Sequence, residues 1–322
     1  VTGVRDIAGP ALSASGLTKA FGGLVAVDAL DLEVARGAVF GLLGPDGAGK
    51  STLITMLATV QLPTAGEARV LGTSVTQEPA AVKPHIGYMS QRFSMYPDLT
   101  VDENLEFFAR LRGVPADVRR ERAPRLLEQM GMERFGNRPA DKLSGGMKQK
   151  LMLASTLMTE PDVLLLDEPT TGVDPVSRRE FWRIIASLHR AGKTVLVATP
   201  YMDEAERCTH VAFMDDGRLT EIGTPGQIKA RVPGTLVQVV GEPQRHVVEA
   251  LLGLPGVSSA HVLGEAVRAL VSEGGPSAAE LASSLAGSGL SVSHAREVPI
   301  DMEAAFAFLA EQDRDVMPGD AA

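Results

Sequence analysis

From about Ala14 to about Val232, short apolar or β-branched runs alternate with stretches of helical spacing, the pattern of a sheet covered by helices. Val39 to Leu43, Val163 to Leu166 and Thr194 to Ala198 lack any charged residue, so they are expected as central strands buried on both faces. Val101 to Arg112, Ala116 to Met130 and Gly146 to Met158 carry helix-like spacing, broken by Gly113-Val114-Pro115 and by Gly131. They predict a helical insertion over about residues 93–158. Asp216-Gly217, between Val211 to Met214 and Arg218 to Ile222, is a hairpin signal, and Thr224-Pro225-Gly226 punctuates a last short helix.

The pattern breaks at Val232-Pro233-Gly234 and then restarts. A strand (Thr235 to Val240), a helix (Gln244 to Leu252), strands Ser258 to Leu263 and Ala266 to Ser272, a helix (Ala278 to Ala286) and a strand (Leu290 to Val298) follow. This order predicts a small split β-α-β unit of ferredoxin-like type. A helix from Met302 to Glu311 ends it. The expected organisation is a main domain over residues 14–232, an accessory α+β domain over 233–312 and a mobile tail over 313–322.

At 322 residues the chain is long enough for two domains, which agrees with that division. Hydrophobic residues make up 44% of it, yet no apolar run approaches the roughly 18 residues needed to cross a bilayer. Val1 to Pro10 carry Arg5 and Asp6 and do not read as a secretory signal, so a cytoplasmic location is expected. Cys208 is the only cysteine, which excludes an internal disulfide and any multi-thiolate metal site. The histidines, His85, His189, His210, His246, His261 and His294, lack metal-site spacing. The net charge is −9. Arg119, Arg120, Arg122 and Arg125 are interspersed with Glu121 and have no aromatic neighbours to stack bases, so they read as a solvated helix face and no nucleic-acid partner is expected.

The strongest local signal is Gly44-Pro45-Asp46-Gly47-Ala48-Gly49-Lys50-Ser51-Thr52, a G-x-x-x-x-G-K-[ST] pattern after an expected strand and before an expected helix. Glycines let the backbone curl so that successive N–H groups converge on phosphate oxygens, and the helix directs its positive end at the same charge. Lys50 would neutralise the β and γ phosphates and Ser51 would ligate Mg²⁺. A glycine-rich turn with a lysine can arise by composition alone, but seldom with the correct flanks. Val163 to Leu166 is followed by Asp167 and Glu168, two carboxylates where an apolar strand leaves the sheet. Asp167 would hold the Mg²⁺ shell and Glu168 would orient or deprotonate the attacking water. An ordinary acidic strand end is the alternative, and the pairing with Lys50 argues against it.

Leu143-Ser144-Gly145-Gly146-Met147 opens a helix about twenty residues before Asp167, and here the sequence resembles the ATP-binding cassette (ABC) family. Ser144 by itself reads as a helix N-cap. The resemblance implies that Ser144, Gly145 and Gly146 bind the γ-phosphate held by an opposite subunit, so that two ATP molecules are clamped between two heads. It covers roughly Leu17 to Thr224. Phe21 resembles the aromatic that stacks on adenine, although an isolated phenylalanine in a strand is more often core. Gln91 resembles the glutamine that touches Mg²⁺ and the attacking water, and Phe93 to Leu99 the segment that faces a membrane-spanning partner. Thr171-Gly172-Val173-Asp174-Pro175 resembles the loop whose aspartate communicates across the dimer. The C-terminal module, ending in Val298-Pro299-Ile300-Asp301-Met302-Glu303, is similar to accessory domains of exporter-type ATPases for drugs, lipids and polysaccharides.

Two positions depart from that family. Thr199-Pro200-Tyr201-Met202-Asp203-Glu204-Ala205-Glu206 carries proline where the family offers a switch histidine, and proline supplies neither a side-chain donor nor an N–H. Loss of one donor to a developing phosphoryl charge typically costs about 10²-fold or more in rate, so slow turnover is expected. Asp46 stands where asparagine is usual. Both features, with the LSGGMKQK of Leu143 to Lys150, resemble the first ATPase half of exporters with two ATPase units in tandem.

The fold class implied is α/β: a P-loop NTPase core with an antiparallel β subdomain and a helical insertion, plus the ferredoxin-like module. The function implied is an ATPase that energises an ABC exporter with ATP and Mg²⁺, working as a homodimer or as a heterodimer with a second ABC ATPase. It would sit on the inner face of the cell membrane through a membrane-spanning permease. The alternative is a nucleotide-binding regulatory half that clamps ATP but hardly hydrolyses it.

Overall fold

The computed structural model describes residues 9 to 316, so the readings made for the first residues, and for the tail beyond Val316, lie outside the described residues. The chain forms two compact units, divided between Thr224 and Pro225.

The N-terminal unit opens with a hairpin, β1 (Leu12–Phe21) and β2 (Leu24–Val34), followed by β3 (Val39–Leu43) and α1 (Lys50–Leu57). Strands β4 (Ala65–Val70) and β5 (Thr73–Ser74) complete an antiparallel sheet in the order β2-β1-β4-β5. After α2 (Pro79–Val82) comes β6 (Ile86–Met89), and then the helical insertion: α3 (Val101–Leu111), α4 (Ala116–Gln129) and α5 (Gly145–Leu157). Thr100 starts α3 with a capping box, its hydroxyl accepting from Glu103 N–H while Glu103 answers at the Thr100 N–H. The chain returns through β7 (Val163–Asp167), α6 (Pro175–Arg190), β8 (Thr194–Thr199), the short α7 (Met202–Ala205), β9 (His210–Asp215) and β10 (Arg218–Gly223).

Five of these strands are parallel and β10 joins as an antiparallel edge, in the order β10-β9-β3-β8-β7-β6. The three charge-free runs are thus adjacent and central. Every residue of β3, β7 and β8 is buried, each Val or Leu side chain contributing about 1.5–3 kcal/mol relative to exposure. The β9–β10 turn is made by Asp216 (φ 42°) and Gly217 (φ 79°). Consecutive positive φ values match the twist of the paired strands. One apolar cluster joins the antiparallel sheet, α1 and one face of the larger sheet.

The arginine-rich helix α4 corrects the reading of a wholly solvated basic face. Arg119 pairs with Glu106 at 2.9 Å and Arg122 with Glu160 at 2.9 Å, with side chains only 13% and 20% exposed. Arg122 also donates to the Met158 carbonyl. These stems tie α4 to its neighbours, whereas Arg125 is exposed and pairs with Glu121 on its own helix. Periodicity assigns a face to water; it does not register that a long side chain can cross a groove to a carbonyl at a helix end.

The C-terminal unit starts with α8 (Pro225–Lys229), which packs with the last helix, α11 (Met302–Val316). This contact moves the boundary ahead of Val232. Between them lie β11 (Thr235–Glu242), α9 (Gln244–Leu252), β12 (Val257–Leu263), β13 (Ala266–Val271), α10 (Ala278–Gly287) and β14 (Ser291–Val298). The strands form an antiparallel sheet in the order β12-β13-β11-β14. Val237, Val239, Val267, Ala269 and Val271 pack against Val247 and Leu251 of α9 and Leu281 and Leu285 of α10. α11 extends past Glu311 to Val316, so residues 313–316 are helical.

Candidate functional site

The site forms where β3 and β7 end on the same edge of the sheet, with β8 between them. After β3 the chain curls through Gly44 (φ 147°), Gly47 (φ 86°) and Gly49 (φ 102°) before α1 begins. Two of these glycines are obligatory on contact grounds as well. A Cβ on Gly44 would lie 2.1 Å from the Met214 carbonyl oxygen, and one on Gly49 would lie 2.2 Å from that of Ala26. The Lys50 ammonium holds the curl from inside, donating to Gly44 O at 2.9 Å and Pro45 O at 2.8 Å. The intrahelical ladder starts with Leu53 N–H to Gly49 O at 2.9 Å, so the amides of Lys50, Ser51 and Thr52 sit in the orphan first turn that favours anions.

Opposite the loop, β7 delivers its two carboxylates. Ser51 Oγ donates to Asp167 Oδ1 at 2.8 Å, and Gln91 Nε2, just past β6, donates to Glu168 Oε2 at 2.7 Å. Thr171 Oγ donates to the same Glu168 oxygen at 3.1 Å. Glu168 has φ 47°, a left-handed backbone that costs a non-glycine residue about 1–3 kcal/mol. Its N–H donates to Ala198 O of β8 at 3.0 Å, which fixes that turn.

Lys50, Asp167 and Glu168 are all nearly inaccessible, at 4%, 4% and 7% exposure. Burial lowers the Lys50 pKa, with Glu168, Asp46 and Asp167 acting in the opposite direction. Burial raises that of Asp167, opposed by the Ser51 hydrogen bond, reinforced by Glu168 and opposed by Lys50. Two carboxylates beside one ammonium leave a local excess of negative charge. The hydroxyl, carboxylate and amide oxygens of Ser51, Asp167, Glu168 and Gln91 are hard donors of the kind that suit Mg²⁺. A polyanion over Lys50 would favour its charged form. A cavity of about 410 Å³ opens above, lined among others by Phe21, Asp46, Gly47, Gly49, Thr52 and Gln91. Phe21, at the end of β1, is 46% exposed there, with the Lys19 ammonium 5.0 Å from its ring centroid. The residues therefore fit a magnesium nucleoside triphosphate: a curled anion cradle, oxygen donors at its rim and an accessible aromatic face.

A model of the family described as ABC transporter matches residues 27–171. The daunorubicin/doxorubicin resistance ATP-binding protein DrrA of Streptomyces peucetius is 44% identical over 230 residues, covering 71% of this chain and 70% of that protein. This chain belongs to the ABC transporter ATP-binding family. The Nod factor export ATP-binding protein I of Ralstonia nicotianae is 41% identical over 235 residues, with 72% and 73% coverage. YbhF of Escherichia coli, named as a probable multidrug ABC transporter ATP-binding protein, is 45% identical over 220 residues, and the chain spans only 38% of its length. Among solved structures, an ATP-binding subunit of an ABC transporter superposes with TM-score 0.62 at 27% identity, covering 68% of this chain and 92% of that one. The dimeric ATP-binding cassette MJ0796, bound to ADP and phosphate, gives 0.61 at 26% identity, with 66% and 98% coverage. The N-terminal unit thus has the P-loop ABC ATPase fold.

Within this ABC subunit, Ser144, Gly145 and Gly146 do not line the cavity that holds Lys50. Ser144 caps α5, its hydroxyl accepting from Met147 N–H at 3.3 Å. Ser144 and Gly145 face solvent, while Gly146 is buried where a Cβ would lie 2.5 Å from that of Ser177 on α6. Asp174 caps α6, accepting from Val176 and Ser177 N–H at 3.0 Å each. No group of three or more metal-ligating histidine, cysteine or acidic residues occurs among the described residues. No described helix is long and apolar enough to cross a membrane.

Sequence reasoning missed Thr170, Thr199 and Glu204, which form a buried cluster beside Glu168. It also missed Leu24 and Ala26 of β2 at the cavity rim. Glu204 lies in an acidic stretch, and spacing alone does not reveal that it turns inward. Two inward-facing threonines, invisible until β7 and β8 are adjacent, receive it.

Proposed function

We propose that this chain binds and hydrolyses ATP to energise an exporter through a membrane-spanning permease, held on the inner face of the cell membrane by that partner. The observation that carries the reading is the meeting of the Lys50 cradle with the Ser51–Asp167 and Gln91–Glu168 pairs at one sheet edge. Drug-resistance and export relatives support the direction of transport. The order of the C-terminal strands supports a ferredoxin-like accessory module.

In this reading the amides of Gly47 to Thr52 and the Lys50 ammonium hold the phosphates, and Phe21 offers its ring to the base. Bound Mg²⁺, held by Ser51, Asp167 and Gln91, would neutralise charge on the transferred phosphoryl group. Glu168 is the general base or orienting group for water. Among the described residues, Gln91 and Thr171 both donate to its Oε2, which leaves Oε1 for the water. Ser144, Gly145 and Gly146, exposed or at the helix start, suit a contact to nucleotide on a second head, in a homodimer or with a second ABC ATPase. Pro200 withdraws one donor from the γ-phosphate side, so turnover is slow.

The test is ATPase activity of the full chain, purified with whatever membrane protein accompanies it, with and without amphipathic drugs as cargo. The reading expects magnesium-dependent hydrolysis that cargo stimulates. Failure to bind ATP, or hydrolysis indifferent to Lys50→Ala, would overturn it.

A further inference from the structure

Glu204, on α7, is 0% exposed, and its carboxylate accepts two hydroxyl donors. Thr170 Oγ donates to Oε1 at 2.6 Å and Thr199 Oγ to Oε2 at 2.6 Å. Both threonines are themselves buried, at 1% and 0% exposure. The Arg178 guanidinium of α6 lies 3.9 Å from the same carboxylate and over the Tyr201 ring, 4.1 Å from its centroid. A buried carboxylate is costly unless donors satisfy it, and here the two hydroxyls do so, with the Arg178 guanidinium as a nearby counter-charge.

The two hydroxyls come from different segments. Thr170 follows Glu168 in the turn after β7, and Thr199 ends β8 immediately before Pro200. Tyr201 N–H donates to Thr199 Oγ at 3.1 Å, so the loop after β8 is folded onto the same oxygen. On the other flank of Glu168, its own N–H is bound to Ala198 O of β8 at 3.0 Å. The left-handed turn at Glu168 is therefore tied to β8 on both sides. A strained turn persists only where its surroundings over-determine it.

We infer that Glu204 is a positioning residue for hydrolysis, clamping the loop after β7 to the loop after β8 so that the Glu168 carboxylate stays beside Gln91. The inference rests on the ATPase reading above. The clamp grips residues on either side of position 200 and asks nothing of the side chain there. On this inference, an exchange at position 200 should leave the geometry of Glu168 intact.

Paired substitutions in the full chain separate positioning from simple packing. Thr170→Val and Thr199→Val keep the side-chain volume and delete the hydroxyl, whereas Thr170→Ser and Thr199→Ser keep the hydroxyl and delete a methyl group. The expected result is that each Val variant loses about tenfold or more in kcat while KM for ATP stays within about twofold. Each Ser variant recovers most of kcat even where its melting temperature is lower. Glu204→Gln retains one acceptor oxygen and should fall between them. Hydrogen exchange at residues 168–172 should quicken in the Val variants and not in the Ser variants. Val variants with unchanged kcat, or Ser and Val variants that lose kcat in proportion to stability, would overturn the clamp. A wild-type chain that hydrolyses no ATP would instead overturn the ATPase reading, and the clamp's catalytic role with it.

Discussion

Among the described residues, every buried polar or charged side chain, from Lys50 to Glu204, belongs to the N-terminal unit, whereas the buried side chains of the C-terminal unit are all apolar. The N-terminal unit has a large apolar core and can carry desolvated groups at the end of its sheet. Its buried carboxylates each have a specific partner: Ser51 for Asp167, Gln91 for Glu168, and Thr170 and Thr199 for Glu204. The C-terminal unit is small, and a few buried charges would consume the margin of so limited a core. The difference teaches where a substitution should change rate and where it should change stability.

The largest effect expected is from Lys50→Ala. It removes the cation that braces the loop and should abolish ATP binding at this site, measured by equilibrium dialysis or a fluorescent nucleotide. Retained affinity would mean that the buried charge in this unit is structural. Next comes Glu168→Gln, which should lower hydrolysis by about 10²-fold or more while ATP affinity survives. An ATP-dependent dimer should accumulate on a sizing column. Pro200→His should then raise turnover, by up to about 10²-fold if the ring reaches the phosphate. An unchanged or lower rate would count against slow turnover through the missing donor.

The C-terminal unit supplies the counterpart. Leu281→Ala deletes a fully buried side chain of α10 and should cost about 2–5 kcal/mol of that unit's stability. ATP affinity should stay unchanged. Altered affinity, followed alongside a calorimetric scan, would erase the division between the two units. The smallest effect concerns Cys208, buried beneath β3. Burial raises its pKa far above the usual thiol range, with Glu204 adding to the shift. The thiol should therefore resist alkylation at about pH 8 in the folded chain and react once denatured, as read by mass spectrometry.

The legible parts of the sequence were those where one local rule suffices. β3, β7 and β8 announce themselves as unbroken apolar runs, the phosphate loop as glycines at fixed offsets, and α9 as a helix with matching limits in structure and sequence. Ser144 reads as a cap and acts as one within its own chain. What could not be read depends on contacts between distant segments. Arg122 reaches Met158 O across a groove, α8 packs with α11, and Glu204 turns away from solvent toward two hydroxyls. Each joins segments whose adjacency the sheet order creates, and hydropathy at a single position carries no information about it.

That order has a further consequence, because β8 is the neighbour of both β3 and β7. Its end, Thr199, is joined through Glu204 to the turn after β7, while the strand itself pairs along its length with β3, which leads into the phosphate loop. On the proposed reading, position 200 would serve as a throttle: exchanging its side chain should alter how fast the engine cycles without loosening its hold on fuel.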